Sequence, residues 1–305
     1  MPAISLSQYL AQEQQPMRRG LVQNMLGNSV FMRILRFVPV EGISYTYGQQ
    51  STLPGVAFRG FNEEYMSSAG VVNPKTERLV PFGGTIQVDH TLEGSDTHTN
   101  ALLAKTRAAG LFYDFNVING DPTENPKAFY GLKARLTGNQ VITQADNGGD
   151  VTWEKVADLL DLVAGPNNKK VLVMSKYQRR KLKNDLLADV SGATLGERND
   201  PLTSFEGARI EVLDEDDVET PVLPQTETQG SSAVTGSIYC IVPGEDPAGD
   251  MVQGLIKSFP GQAGDELIVH KKLAQVNTLV GDLVEMLGGL GVFHGRAAAR
   301  LKGLT

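Results

Sequence analysis

At 305 residues the chain is long enough, at about 150 residues per domain, for two domains or one elaborated one, which excludes a peptide hormone or a disulfide-stapled miniprotein. A hydrophobic content of 41%, a charged content of 21% and a mean hydropathy of -0.18 exclude wholesale disorder. The 28 basic residues against 35 acidic ones leave a net charge of -7, which disfavours a general binder of nucleic-acid backbones.

Segment 4–37 mixes Leu, Val and Met with polar residues and carries Arg18, Arg19, Arg33 and Arg36 against Glu13 alone. It reads as a helical arm, interrupted by Pro16, Gly20 and Gly27, whose apolar Leu21, Val22, Met25 and Leu26 need a partner surface. The arginines read as a solvated face. From 38 to 92 short alternating stretches appear, among them Ile43, Tyr45 and Tyr47, then Ile86, Val88, His90 and Leu92. They predict two long strands with a protruding tip. The segment between them has too few apolar residues for a core of its own, so this extended hairpin needs a neighbour.

Asp96 or Thr97 is expected to cap a long helix running to about Ile118, with a stripe at Ala101, Ala104, Ala108, Leu111, Phe115 and Ile118 that packs on a sheet. Asn119-Gly120-Asp121-Pro122 then makes a sharp turn. Asp150 is the expected cap of a second helix with Val156, Leu159, Leu160 and Val163 on one face, stopped by Gly165-Pro166. A short buried strand at 171–174, a cap at Ser175 and a basic helix at 177–187 suggest a compact α/β unit. The acidic run 214–219 reads as a solvated turn, and 221–236 as a loop rich in Thr, Gln, Ser and Gly. Segment 276–292 alternates like a strand, and 297–301 reads as a short closing helix.

Signs of chemistry are sparse. Cys240, the single cysteine, lies in an apolar run and reads as a buried strand residue, and its isolation suits a reducing cytoplasm. No run approaches the roughly 20 apolar residues of a membrane span, and the N-terminus has no secretory pattern. His90, His98, His270 and His294 are scattered without metal-ligand spacing. No nucleophile elbow or phosphate-binding glycine loop occurs, and Gly288, Gly289 and Gly291 read as strand bends. The basic run of Lys176, Arg179, Arg180, Lys181 and Lys183 reads as a solvated helix. Asp121, Glu124 and Lys127 sit beside a turn with no evident nucleophile or oxyanion donor. No residue is nominated as catalytic, cofactor-binding or metal-binding, and no enzyme activity or cofactor is expected.

Several stretches, taken in order, resemble tailed-phage major capsid proteins of the HK97 fold. They are Leu6-Ser7-Gln8-Tyr9, Leu53-Pro54-Gly55-Val56-Ala57-Phe58-Arg59 with Asn62-Glu63-Glu64-Tyr65, Ile118-Asn119-Gly120-Asp121 with Phe129-Tyr130-Gly131-Leu132, Leu223-Pro224-Gln225-Thr226-Glu227-Thr228-Gln229-Gly230, and Arg296-Ala297-Ala298-Ala299-Arg300-Leu301. The resemblance covers almost the whole chain. It implies an α+β fold with an N-terminal arm at 1–36, an extended E-loop hairpin at 37–92, a peripheral domain with a long spine helix at 93–165 and 271–305, and an axial domain at 166–270. It further implies a structural protein that self-assembles through pentamers and hexamers into an icosahedral shell around phage double-stranded DNA, bound without sequence specificity. Location in the virion, assembly in the host bacterial cytoplasm, absence of a membrane and separate scaffolding, portal, protease and decoration proteins follow from the same resemblance. Met1 is followed almost at once by the arm, so scaffolding is expected either to come from another chain or to be dispensed with. Some relatives crosslink an E-loop lysine to a peripheral asparagine. Lys75 and Asn277 lack a recognisable context for that, and no crosslink is expected. An encapsulin-type protein compartment is the alternative within the fold. A cytosolic α/β enzyme built around Asp121 and Glu124 is the more distant one, and it leaves the coreless hairpin unexplained.

Overall fold

A computed structural model of the chain describes residues 4–12, 16–52, 54–189, 201–213, 220–246, 249–257, 269–274 and 277–305. The acidic run 214–219 lies outside the described residues.

The chain opens with β1 (Ile4–Ser5), α1 (Leu6–Gln12), α2 (Pro16–Asn28), α3 (Val30–Ile34) and β2 (Arg36–Val40). Pro16 starts α2, where a missing N–H costs nothing, and both Gly20 and Gly27 lie inside the helix instead of interrupting it. Leu21, Val22, Met25, Phe31 and Met32 are buried, and Asn24 donates to the Leu103 carbonyl at 2.7 Å. The partner surface that the arm needs is therefore supplied by its own chain. At ~1.5–3 kcal/mol for each fully buried side chain, these five contribute roughly 10 kcal/mol before ordering costs, enough to offset two helical glycines at about 1 kcal/mol each.

Next come β3 (Ser44–Thr52) and β4 (Val71–Arg78), which among the described residues pair only with each other, and β5 (Val80–Asp89). Helix α4 (Asp96–Asn119) follows, capped by the Ser95 hydroxyl instead of Asp96 or Thr97. Its buried face carries His98, Leu102, Thr106, Ala109, Tyr113, Asn116 and Val117, about one residue round from the expected alanine stripe. The shift follows from what the helix must pack against: α2 and α3 on one flank and the β5 strand on the other. After it come α5 (Leu132–Arg135), β6 (Val141–Thr143) and α6 (Trp153–Leu162), preceded by Thr152 while Asp150 instead pairs with Lys181. Strand β7 (Val171–Met174) is buried throughout, and the Ser175 hydroxyl accepts from the Gln178 amide at the start of α7 (Lys176–Asp189).

The rest is almost all sheet: β8 (Ser204–Phe205), β9 (Ala208–Val212), β10 (Glu227–Gln229), β11 (Ser232–Ile241), β12 (Glu245–Asp246), β13 (Gly249–Asp250), β14 (Val252–Lys257), β15 (Val269–Lys272), β16 (Leu279–Val292) and β17 (Ala298–Leu304). The expected loop at 221–236 thus contains paired strands. The expected closing helix is instead a strand, held between β6 and β11 in the second sheet. Alanine's helix propensity is overridden there by sheet pairing on both sides and burial of Ala298, Ala299 and Leu301.

Two large sheets result. One has the order β1-β2-β14-β16-β15, with β5 on the other side of β16; the other runs β6-β17-β11-β7-β9-β8, with β10 also on β11. Their membership cuts across the boundaries anticipated from sequence. Strand β5 leaves the hairpin segment to join β16, β14 joins the first sheet, and β17 joins the second. The glycines of β16 are not bends, since the strand continues through them. A Cβ on Gly289 would lie 2.8 Å from the Arg78 carbonyl oxygen, so close approach of the chain leaving the hairpin demands glycine.

Candidate assembly interface

The hairpin formed by β3 and β4 is fixed at its base. Glu77, buried on β4, receives both guanidinium nitrogens of Arg135, one of them at 2.6 Å, and the Tyr47 hydroxyl at 3.1 Å. Arg135 reaches this point from α5 and also donates to the carbonyls of Tyr130 at 2.8 Å and Leu290 at 3.0 Å. Tyr47 donates to the Val292 carbonyl at 2.8 Å, and its ring lies 4.5 Å from that of Phe293. Burial and the Glu77 carboxylate both push the Tyr47 hydroxyl's pKa up, keeping it a neutral donor. A small core of Val38, Val40, Leu79 and Leu255 lies beside this cluster. Five strands and a helix turn thus set the direction in which the hairpin leaves the body.

The far end is different. Val56 is 99% exposed, Met66 is 92% exposed, and Phe58 and Phe61 are fully exposed. The tip nevertheless has internal order. Gly60 donates its amide to Glu63 at 2.8 Å, Arg59 donates to the Glu63 carbonyl at 3.1 Å and lies over the Tyr65 ring, and Ser68 donates to the Gly55 carbonyl at 2.9 Å. An ordered loop that presents aromatic side chains to solvent is a surface prepared for another molecule.

Behind the hairpin, α4 carries the arm. Asp114 is buried and accepts from the Ser29 hydroxyl at 2.6 Å, the Val30 amide at 2.7 Å and the Phe31 amide at 3.0 Å, satisfying the open N-terminus of α3. Burial pushes its pKa up to about 7 against the pull of those donors. Tyr113 next to it donates to the Gly289 carbonyl at 3.1 Å, tying α4 to β16.

The residues singled out in the sequence are dispersed. Asp121 accepts from the amide and hydroxyl of Thr123, bonds that hold its carboxyl below the usual range and make it a turn cap. Cys240 is fully buried, and burial pushes its thiol up to about 12. In the basic helix Lys181 pairs with Asp150 and Arg180 lies over Tyr177. Arg33 of the arm pairs with Glu211 at 2.7 Å. Among the described residues no cluster of His, Cys, Asp and Glu is arranged to hold a metal, and no helix is long and apolar enough to cross a membrane.

Sequence reasoning missed three networks. One is Glu77 with Arg135. Another joins His98, Asp282 and His270, with each imidazole Nε2 on one carboxylate oxygen at 2.6 and 3.0 Å. The last joins Glu227 to Arg300 at 2.8 Å, with Lys133 at 3.4 Å. Their members come from distant segments, so no local spacing announces them. Asp282, a carboxylate inside the largely apolar β16, carries a local signal, whereas Glu77 lies in a mostly exposed polar strand and carries none.

No known sequence family matches the chain, and no curated protein does. Solved structures do. The SrpI encapsulin complex of Synechococcus elongatus PCC 7942 is similar at 18% identity and a TM-score of 0.64, covering 90% of this chain and 86% of its own. The capsid of a native GTA particle is similar at 15% identity and a TM-score of 0.65, with 90% of each chain covered. The capsid of cyanophage P-SCSP1u is similar at 11% identity and a TM-score of 0.59, covering 90% of this chain and 87% of its own. These likenesses establish an α+β chain with the HK97-like fold.

Proposed function

We propose that this chain, with its HK97-like fold, is the shell-forming subunit of a phage capsid, assembling through pentamers and hexamers into an icosahedral shell around double-stranded DNA. The observation that carries the reading is the hairpin, locked at its base by Glu77 and Arg135 and tipped with exposed Val56, Phe58, Phe61 and Met66. A side chain such as Phe gains ~1.5–3 kcal/mol on burial, so a tip resting on a neighbour adds several kcal/mol at each contact, repeated around a closed ring. The role is structural, with no catalytic group invoked. Sheet membership supports a peripheral unit built on the first sheet and α4, and an axial unit built on the second sheet, with α1 to α3 as the arm. The shell is held without covalent crosslinks, in a virion assembled in the host cytoplasm with scaffolding, portal, protease and decoration supplied by other chains.

A second reading rests on the encapsulin likeness, whose TM-score of 0.64 stands beside 0.65 for the GTA capsid. In that reading the shell encloses protein. Particles purified from the native source and treated with nuclease distinguish the two. Protected double-stranded DNA is the expected content, and a protein cargo without DNA would replace the phage reading with the compartment one.

A further inference from the structure

A polar cavity of about 410 Å³ opens over the second sheet, lined by residues of α5, β10, β11 and β17. Arg300 and Lys302 lie two residues apart on β17 and so project to one face, opposite Tyr239 and Ser237 of β11. Lys133 reaches the same place from α5. Glu227 is the one carboxylate among the described residues of the wall, and it is already engaged: Arg300 donates Nη2 to both of its oxygens at 2.8 Å, and the Ser237 hydroxyl donates to one of them. Burial opposes its ionisation, but the Ser237 hydroxyl, Arg300 and Lys133 together hold the Glu227 carboxyl below its usual range. The Lys133 ammonium stands off at 3.4 Å, beyond the ~2.7–2.9 Å of a charge-assisted hydrogen bond. Among the described residues Lys302 has no carboxylate partner, and Nη1 of Arg300 has no acceptor. The cavity thus holds three cations against one carboxylate, with donors unused, in a chain whose net charge is -7.

We propose that this cavity binds a phosphate-class dianion, either free phosphate or a small phosphate monoester, held by the ammonium groups of Lys133 and Lys302 and by Nη1 of Arg300. The excess of two positive charges matches the charge that a phosphate approaches at neutral pH. Arg300 is fixed beforehand by Glu227, by the Ser237 hydroxyl at 3.0 Å and by the Tyr239 ring 5.7 Å away, so little side-chain freedom is left to lose on binding. Glu227 repels an anion that approaches it directly and confines the dianion to the side of the lysines. Bound there, the ligand bridges β17 to α5, the helix turn that also carries Arg135 to the root of the hairpin. The site does not depend on the shell reading, and neither stands or falls with the other.

The test is titration calorimetry and thermal unfolding of the full-length chain with inorganic phosphate, the ionic strength held constant with sodium chloride so that screening is not read as binding. Saturable uptake of one phosphate per chain is expected, with Tm raised by about 3 °C or more at saturation. Lys133→Gln with Lys302→Gln changes two partly exposed side chains and is expected to weaken binding by about tenfold or more while leaving the phosphate-free Tm unchanged. Lys302→Gln alone, which breaks no ion pair, moves affinity in the same direction and serves if the double variant is destabilised. Lys155→Gln, at an exposed position on α6, leaves binding as it was. A nucleoside monophosphate run in parallel identifies the source: binding at least as tight as that of inorganic phosphate assigns the site to the monoester, and weaker binding assigns it to the free ion. No saturable uptake of either compound at millimolar concentration, or uptake undiminished in the lysine variants, would overturn the site.

Discussion

Replacing Arg135 with alanine removes the one cation that, among the described residues, neutralises Glu77 at the root of the hairpin. Glu77 is only 5% exposed, and of the contacts described above it keeps only the Tyr47 hydroxyl at 3.1 Å. Breaking a buried pair from one side costs about 3–5 kcal/mol, because the remaining carboxylate stays out of water without its counter-charge. The carbonyls of Tyr130 and Leu290 lose a donor in the same step. At roughly 2–4 °C per kcal/mol for a chain somewhat smaller than this one, the unassembled protein should lose about 10 °C in Tm. Hydrogen exchange should quicken most at 44–50 and 72–78, the paired strands that Glu77 tethers. Replacing both residues, Glu77→Leu with Arg135→Leu, should cost less than the single change, since no buried charge is then stranded. An Arg135→Ala loss under about 1 kcal/mol, or a double variant as damaged as the sum of its parts, would refute the anchoring role.

The other predictions concern the body of the fold. Because burial raises Asp114 to about 7 from an ordinary 3.8, its contribution to stability is full below about pH 4 and is lost as pH rises through 7. Asp114→Asn should flatten the Tm-against-pH curve in that window; a curve as steep as that of the unaltered chain would contradict the assignment. Gly289→Ala forces a methyl group to within 2.8 Å of the Arg78 carbonyl and should cost about 1–3 kcal/mol in chemical denaturation, whereas a neutral effect would deny the close approach. The Cys240 thiol should resist maleimide in the native protein and react once per chain after denaturation; rapid native labelling would contradict its burial.

Much of the fold was legible wherever one period governed a segment. The face of Val156, Leu159, Leu160 and Val163 and the strand at 171–174 are both buried as their spacing requires. The spine helix was legible as a helix but not in its facing. It packs against the arm and a sheet together, so its buried surface is wide and includes Thr106, Asp114 and Asn116, which a hydrophobic count passes over. The closing alanines misled for a related reason. Their small side chains carry helix propensity, but the pairing of β17 with β6 and β11 depends on segments far away in sequence. The exposed hairpin tip was legible because it lacks a core. Its anchor was not, because Glu77 and Arg135 are 58 residues apart and each alone reads as an ordinary surface charge.

The central claim, that this chain builds a closed shell, is tested most directly by the mass of what it forms. Size-exclusion chromatography with light scattering, followed by negative stain of the same fractions over a range of salt and protein concentration, should show pentamers, hexamers or megadalton hollow particles. A uniform species near the 32.9 kDa chain mass under every condition would contradict it.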